Sequence, residues 1–251
     1  MKLLKAMAIA FSIYSKIPVP QFEWKEEDME YMMCFFPWIG GVIGLFFFGW
    51  AVLCEKFAVG NVCYALIGAA IPLMISGGFH VDGYMDTMDA FHSYQSREKK
   101  LEILKDSHIG AFAAIMLALY YMIDIAAISE IHTQKAVSAL AAVFFLARCF
   151  SGIAVMTLQP AKKEGLLYTF ASSAQKVRVK AALYFQTVLC VVLMLLVSGW
   201  YGAAAIGAAL LSFFYFKKKS YKELGGITGD TAGFFVTVCE AAAAAAAGYF
   251  L

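Results

Sequence analysis

Hydrophobic residues fall in long runs, Tyr31–Cys54, Val62–Phe79, Ile109–Ile128, Lys135–Leu158, Ala181–Ser198, Trp200–Phe216 and Thr231–Leu251, separated by short polar stretches. Each run approaches the roughly 20 residues needed to cross a hydrocarbon core about 30 Å thick. The pattern predicts an all-α polytopic membrane protein with about seven transmembrane helices. Only the Ser198-Gly199 turn separates the fifth and sixth runs. Segments 181–198 and 200–216 therefore either both span or form a re-entrant hairpin. Ahead of the runs, Lys2, Lys5, Ser12 and Lys16 share one helical face, and Leu4, Met7, Phe11 and Tyr14 share the other. This predicts an amphipathic helix over residues 1–17 lying in the membrane interface, stopped by Pro18 and Pro20. Its short apolar core and the lack of a small-residue cleavage pattern argue against a signal peptide.

Composition agrees with the pattern. Of 251 residues, 62% are hydrophobic and 15% charged, against roughly 45–50% and about 25% in soluble domains. The net charge of +2 says little, but the distribution of the basic residues is informative. Along the successive loops they number 4, 1, 4, 1, 5, 0 and 4, counting Lys135 at the edge of its run, with Arg148 alone in mid-run. That alternation predicts a single integral membrane domain, 1–251, with a cytoplasmic N-terminus and an outward C-terminus. The six cysteines are scattered without CxxC or metal-ligand spacing and read as small buried hydrophobes, although Cys54 and Cys63 flank one outer loop.

The polar residues that remain converge on one side. Cytoplasmic loop 81–108 opens with Asp82, Asp86 and Asp89, spaced four and three apart, so that a helix stacks all three on one face. Like charges so placed repel unless a cation or shared protons offset them. Carboxylates beside hydrocarbon mark a functional site, and Mg²⁺ is the expected cofactor where phosphates are handled. His80 reads as a base or a hydrogen-bond donor, whereas His92 reads as a solvated loop residue and His132 lies on the opposite side. Later in the loop stand Arg97, Asp106 and His108, candidate substrate-binding residues. Arg148 in mid-span needs an acidic partner, Asp124 or Glu240, or a wet cavity in which it holds phosphate. The Gly-rich segment 225–233 exposes backbone N–H groups ahead of the last run, and Thr228, Gly229 and Asp230 there are candidate anion-site residues. Asp230 could orient a ligand, join a metal site or cap the helix. Gly40, Gly41 and Gly44, with Ala241–Ala247 and Gly248, form small-residue strips suited to close helix packing, which also leave room for a homodimer.

Three carboxylates, a glycine loop and an intramembrane arginine suggest metal-assisted phosphoryl transfer from a nucleotide-activated substrate. A carboxylate or His80 would take the proton from an attacking alcohol. There is no P-loop, kinase motif or zinc site, and no nucleic-acid partner is expected.

The stretch His80-x-Asp82-Gly83-x-x-Asp86-x-x-Asp89 after Gly77-Gly78 closely resembles the cobalamin synthase family, the adenosylcobinamide-GDP ribazoletransferases. So do the segment from Arg97 to Phe112, the run Gly226-Ile227-Thr228-Gly229-Asp230-Thr231, and Lys16-Ile17-Pro18-Val19-Pro20. The resemblance implies Mg²⁺-dependent attack of α-ribazole, or its 5′-phosphate, on adenosylcobinamide-GDP, with loss of GMP and formation of adenosylcobalamin or its phosphate. It implies a multi-pass protein of a prokaryotic cytoplasmic (inner) membrane, with its active site toward the cytoplasm. Ala90 and His108 depart from the family, which usually carries Gly and Arg there. Alternative readings are a CDP-alcohol phosphotransferase of phospholipid synthesis, whose Ala-Arg after the first Asp-Gly is replaced here by Tyr84-Met85, or a membrane transporter.

Overall fold

In the computed structural model, residues 2–20 and 23–249 are described. Met1, Phe250 and Leu251, which belong to the expected first helix and last span, lie outside them. The described chain is α-helical, with one isolated backbone bridge, Pro160 to Ile227. The helices are α1 (Lys2–Tyr14), α2 (Phe36–Lys56), α3 (Asn61–Ser76), α4 (Phe79–His92), α5 (Arg97–Ile103), α6 (Ala111–Ile128), α7 (Gln134–Thr157), α8 (Leu166–Ser173), α9 (Lys176–Ser198), α10 (Trp200–Leu224) and α11 (Gly229–Tyr249).

Among the described residues, α2, α6, α7, α9 and α11 are long and apolar enough to cross a membrane. The bent pair α3 and α4 makes a sixth if counted as one span. The chain is therefore an all-α membrane protein. The largely buried α7 and α11 form the centre of the bundle, while α6 and α9 expose most of their surface. Leu119 and Met122 on α6 and Val188 and Leu196 on α9 point outward, as expected of side chains whose solvent is lipid.

The small-residue strips are used inside the chain. A Cβ on Gly40 would lie 2.0 Å from the Phe144 carbonyl oxygen, and one on Gly44 would lie 2.1 Å from that of Ala141. α2 and α7 thus touch backbone to backbone, which only glycine permits at those two positions. Charge in the core is handled by pairing. Arg148 of α7, 1% exposed, donates Nη1 to Glu240 of α11 at 2.6 Å and to the Phe144 carbonyl at 2.8 Å. Asp124 of α6 is buried near that pair, sharing a small void with Glu240.

One expectation is revised. The second apolar run ends its helix at Ser76, short of Phe79, because Gly77 and Gly78 both adopt positive φ (66° and 86°) and turn the chain by 97° into α4. Most of the expected loop 81–108 is consequently helix. In α1, the packing face is Ala6, Ile9, Ala10 and Tyr14, while Leu3, Leu4 and Met7 are exposed. The alanines allow a closer approach than the larger side chains, which are left outward with no protein partner to cover them.

Candidate active site

The turn at Gly77-Gly78 lays α4 across one end of the bundle, against the first turns of α11. The approach is set by two more glycines. A Cβ on Gly83 would sit 2.8 Å from the Asp230 carbonyl oxygen and 2.9 Å from its Cα, and one on Gly233 would sit 3.0 Å from the His80 carbonyl oxygen. Gly83 lies between Asp82 and Asp86, so the contact that requires it sets the α4 carboxylates beside Asp230. Asp86 interacts electrostatically with Asp82, Asp230 and Asp89, and Asp230 also with Asp82.

The start of α11 is fixed independently of Asp230. Thr228 Oγ1 accepts from the Thr231 N–H at 3.1 Å, and Thr231 Oγ1 accepts from the Thr228 N–H at 2.8 Å. Thr228 Oγ1 also donates to the Asp230 carboxylate at a long 3.4 Å, and the carboxylate accepts from its own backbone N–H as well. Upstream, Ile227 N–H donates to Gln159 O at 3.0 Å and Ala161 N–H donates to Ile227 O at 2.8 Å. This clamp accounts for Gly226, where a Cβ would meet Gln159 O at 2.5 Å. It also delivers Lys162 to the mouth of the site.

These elements enclose a cavity of about 470 Å³. Asp82, Gly83, Thr228, Gly229 and Asp230 line it, as do Lys105 and Lys162, and an aromatic group with His80 completes it. Lys162 donates to the Leu101 carbonyl and interacts with Asp230, Glu164 and Lys105. Burial, with a smaller contribution from Lys105, holds its amine below the usual lysine range. Lys105 pairs with Glu164 at 2.5 Å, and this hydrogen bond draws the Glu164 carboxyl below its ordinary value. The lining therefore combines the carboxylates Asp82, Asp230 and Glu164 with the cations Lys105 and Lys162, which can hold a polyanion.

The expected site residues are only partly brought together. His80, Asp82, Thr228, Gly229 and Asp230 line the cavity, with Asp86 one turn behind Asp82. Asp89 faces the start of α6, where Oδ1 accepts from the Ala113 N–H at 3.1 Å and the carboxylate fills the space beside Gly110. It thereby supplies the cap that Gly110 cannot. His80 is 5% exposed, and neither ring nitrogen has a hydrogen-bond partner. Arg97, Asp106, His108 and Arg148 do not line the cavity. The Arg97 guanidinium lies over Gly225, while Lys100 pairs with Glu223 and docks α5 on α10. Asp106 accepts from the backbone N–H of exposed His108 at 3.0 Å, and its contact with the His108 ring is 2.6 Å. These bonds keep the Asp106 carboxyl below its usual range.

Sequence reasoning did not single out Lys105, Lys162 or the rings of Tyr14, Phe36, Phe79 and Phe170. The lysines registered only as cytoplasmic charge. The rings belong to four separate helices, so no local spacing links them.

Among the described residues, no group of three or more His, Cys, Asp or Glu side chains is arranged as a metal cage. Mg²⁺ rarely uses such cages. It keeps several waters and takes one or two carboxylates plus substrate phosphate. Asp82 and Asp86, hard oxygen donors one turn apart with Asp230 beside them, match that requirement.

Fold and site define a polytopic α-helical membrane protein with an acidic, lysine-flanked cavity at one end of its bundle. The chain belongs to the cobalamin-5-phosphate synthase family, whose model matches residues 6–248. It is 44% identical, over 96% of its length and 92% of the relative's, to a protein of Lachnoclostridium phytofermentans named adenosylcobinamide-GDP ribazoletransferase. Relatives with the same name occur in Clostridium botulinum strain Eklund 17B (34% identity, 95% of this chain and 94% of the relative) and Treponema denticola (29%, 95% of each). No solved structure matches the chain.

Proposed function

We propose that this chain is an adenosylcobinamide-GDP ribazoletransferase, joining α-ribazole or its 5′-phosphate to adenosylcobinamide-GDP with release of GMP, late in cobalamin biosynthesis. The observation that carries the reading is the Gly83–Asp230 contact, which unites the Asp motif of α4 and the Gly-rich segment before α11 in one cavity. Family membership and the relatives' names support it.

In this reading a ribose hydroxyl oxygen attacks the phosphorus next to the cobinamide. A new P–O bond forms, the diphosphate P–O bond breaks, and GMP leaves with that electron pair. Lys105 and Lys162 hold the diphosphate and offset charge developing on the leaving phosphate. Asp230 accepts the hydroxyl proton. Asp82 and Asp86 would hold Mg²⁺, which supplies Lewis-acid stabilisation of the phosphoryl oxygens. Asp89 positions α6 against α4.

The same reading makes 1–251 one membrane domain, counts α3 and α10 as spans to give seven, and sets α1 in the interface with Leu3, Leu4 and Met7 toward lipid. α10 supports this count with 25 residues, about 37 Å at 1.5 Å per residue. The alternation of basic loops supports placing the cavity on the cytoplasmic side of a prokaryotic inner membrane.

The test is to give purified protein Mg²⁺, adenosylcobinamide-GDP and α-ribazole and to measure GMP and corrinoid product together. Release of CMP from a CDP-alcohol, with no GMP from these substrates, would reassign the chain to phospholipid synthesis.

A further inference from the structure

The carboxylates and lysines occupy only part of the cavity lining. Much of the remainder is apolar, and its aromatic part is centred on Tyr14. Its ring lies 4.6 Å from Phe36, 5.0 Å from Phe79 in an edge contact, 6.2 Å from Phe170, and 6.2 Å from the His80 imidazole at only 16° between planes. His80 in turn lies 5.7 Å from both Phe36 and Phe79. The rings come from α1, α2, α4 and α8, which meet at this cavity.

Rings packed together could be mere core, but His80 is not explained by core packing. It is 5% exposed, lines the cavity, and has no hydrogen-bond partner on Nδ1 or Nε2. A buried polar nitrogen without a partner costs free energy that a ligand with a matching group recovers. The cavity is thus lined by a cluster of rings with an imidazole set among them.

We infer that this aromatic wall receives the flat base of the nucleoside acceptor, with His80 hydrogen-bonded to the base's free ring nitrogen. The inference rests on the function proposed above and assigns which substrate occupies which part of the site. A benzimidazole-type base has an apolar perimeter and one acceptor nitrogen, and the neutral imidazole of His80 donates one N–H. Guanine, the other base in the reaction, presents an N–H, an amino group and a carbonyl along one edge. Apart from the carboxylates, lysines and Thr228, the polar side chains of the lining are His80, Ser151 and the Tyr14 hydroxyl, which leave much of that edge unpaired against the rings. The rings therefore select the acceptor and exclude the nucleotide, whose diphosphate is drawn to Lys105 and Lys162.

Steady-state kinetics of the full-length protein in detergent test this, supported by direct calorimetric binding of each substrate. Phe36→Leu and Phe170→Leu raise KM and Kd for α-ribazole about tenfold, the worth of one base–ring stack. KM and Kd for adenosylcobinamide-GDP stay within about twofold, which also reports that the variants are folded. Wild-type protein discriminates against the α-riboside of 5,6-dimethylindole, in which carbon replaces the free nitrogen. His80→Leu abolishes that discrimination, and His80→Gln, which retains an N–H donor, preserves it.

Weaker binding of adenosylcobinamide-GDP with α-ribazole unaffected would overturn the inference and give the rings to guanine. Unchanged constants for both substrates would reduce the rings to core packing. GMP release with either result overturns this inference alone. Wild-type protein that neither releases GMP nor binds α-ribazole overturns the proposed function with it.

Discussion

Gly83 of α4 rests on the backbone of Asp230 at the start of α11, so closely that a Cβ would lie 2.8 Å from the Asp230 carbonyl oxygen. The neighbour is main chain and cannot swing aside. Gly83→Ala must separate two helices that carry opposing halves of the site. Misplacement of reacting groups by about 1 Å can cost on the order of 10²-fold in rate. Turnover of Gly83→Ala is expected to fall by at least about tenfold, with insertion in the membrane retained. Gly49→Ala, where a Cβ meets nothing within 4 Å, serves as the control and keeps full turnover.

The three aspartates of α4 are expected to respond differently to the same change. Asp89 accepts a backbone N–H at the start of α6, and asparagine caps about as well as aspartate. Asp89→Asn should therefore keep turnover within about threefold, while Asp89→Leu loses the cap and about 1 kcal/mol of stability. Asp82→Asn removes a charge from the cavity wall and should lower kcat on the order of 10²-fold or more. Parallel assays of GMP release and thermal unfolding in detergent separate the two behaviours. Equal losses for Asp82→Asn and Asp89→Asn would place Asp89 in the chemistry.

Arg148 and Glu240 bond at 2.6 Å in the bundle core, both buried. Removing one partner strands a buried charge, which costs about 3–5 kcal/mol. Arg148→Met alone should therefore destabilise strongly, more so because Asp124 stands near Glu240. Arg148→Met combined with Glu240→Leu should recover much of the loss. A thermal-melt series of the wild type, both single variants and the double variant checks this. A loss of turnover in the double variant at wild-type stability would instead tie Arg148 to the reaction.

Hydrophobic runs made the helical membrane architecture legible, because span length and polarity are local properties. Where helices stop was less legible. Phe79 belongs to an apolar run, yet successive left-handed glycines end α3 at Ser76 and give Phe79 to α4. The amphipathic pattern of α1 was legible, but the part of it that packs on the protein was not: Ala6 and Ala10 pack inward, while Leu4 and Met7 stay exposed. Asp82, Thr228, Gly229 and Asp230 could be picked out as charges and glycines in unusual places. The turn of Asp89 toward Ala113 could not, since spacing alone puts it with Asp82 and Asp86. Lys162 was hidden for another reason, because its place depends on a bridge between Pro160 and Ile227, far apart in sequence.

The central claim is that the cavity joining α4 and α11 transfers a cobinamide phosphate to ribazole. The most direct measurement is the stoichiometry of GMP and corrinoid product formed by purified protein from adenosylcobinamide-GDP and α-ribazole, with Mg²⁺ or with EDTA, for wild type and Asp82→Asn. The account predicts equal amounts of GMP and product from the wild type with Mg²⁺, and loss of both with EDTA or in the variant. Absence of GMP from the wild type, or undiminished turnover by Asp82→Asn, would contradict it.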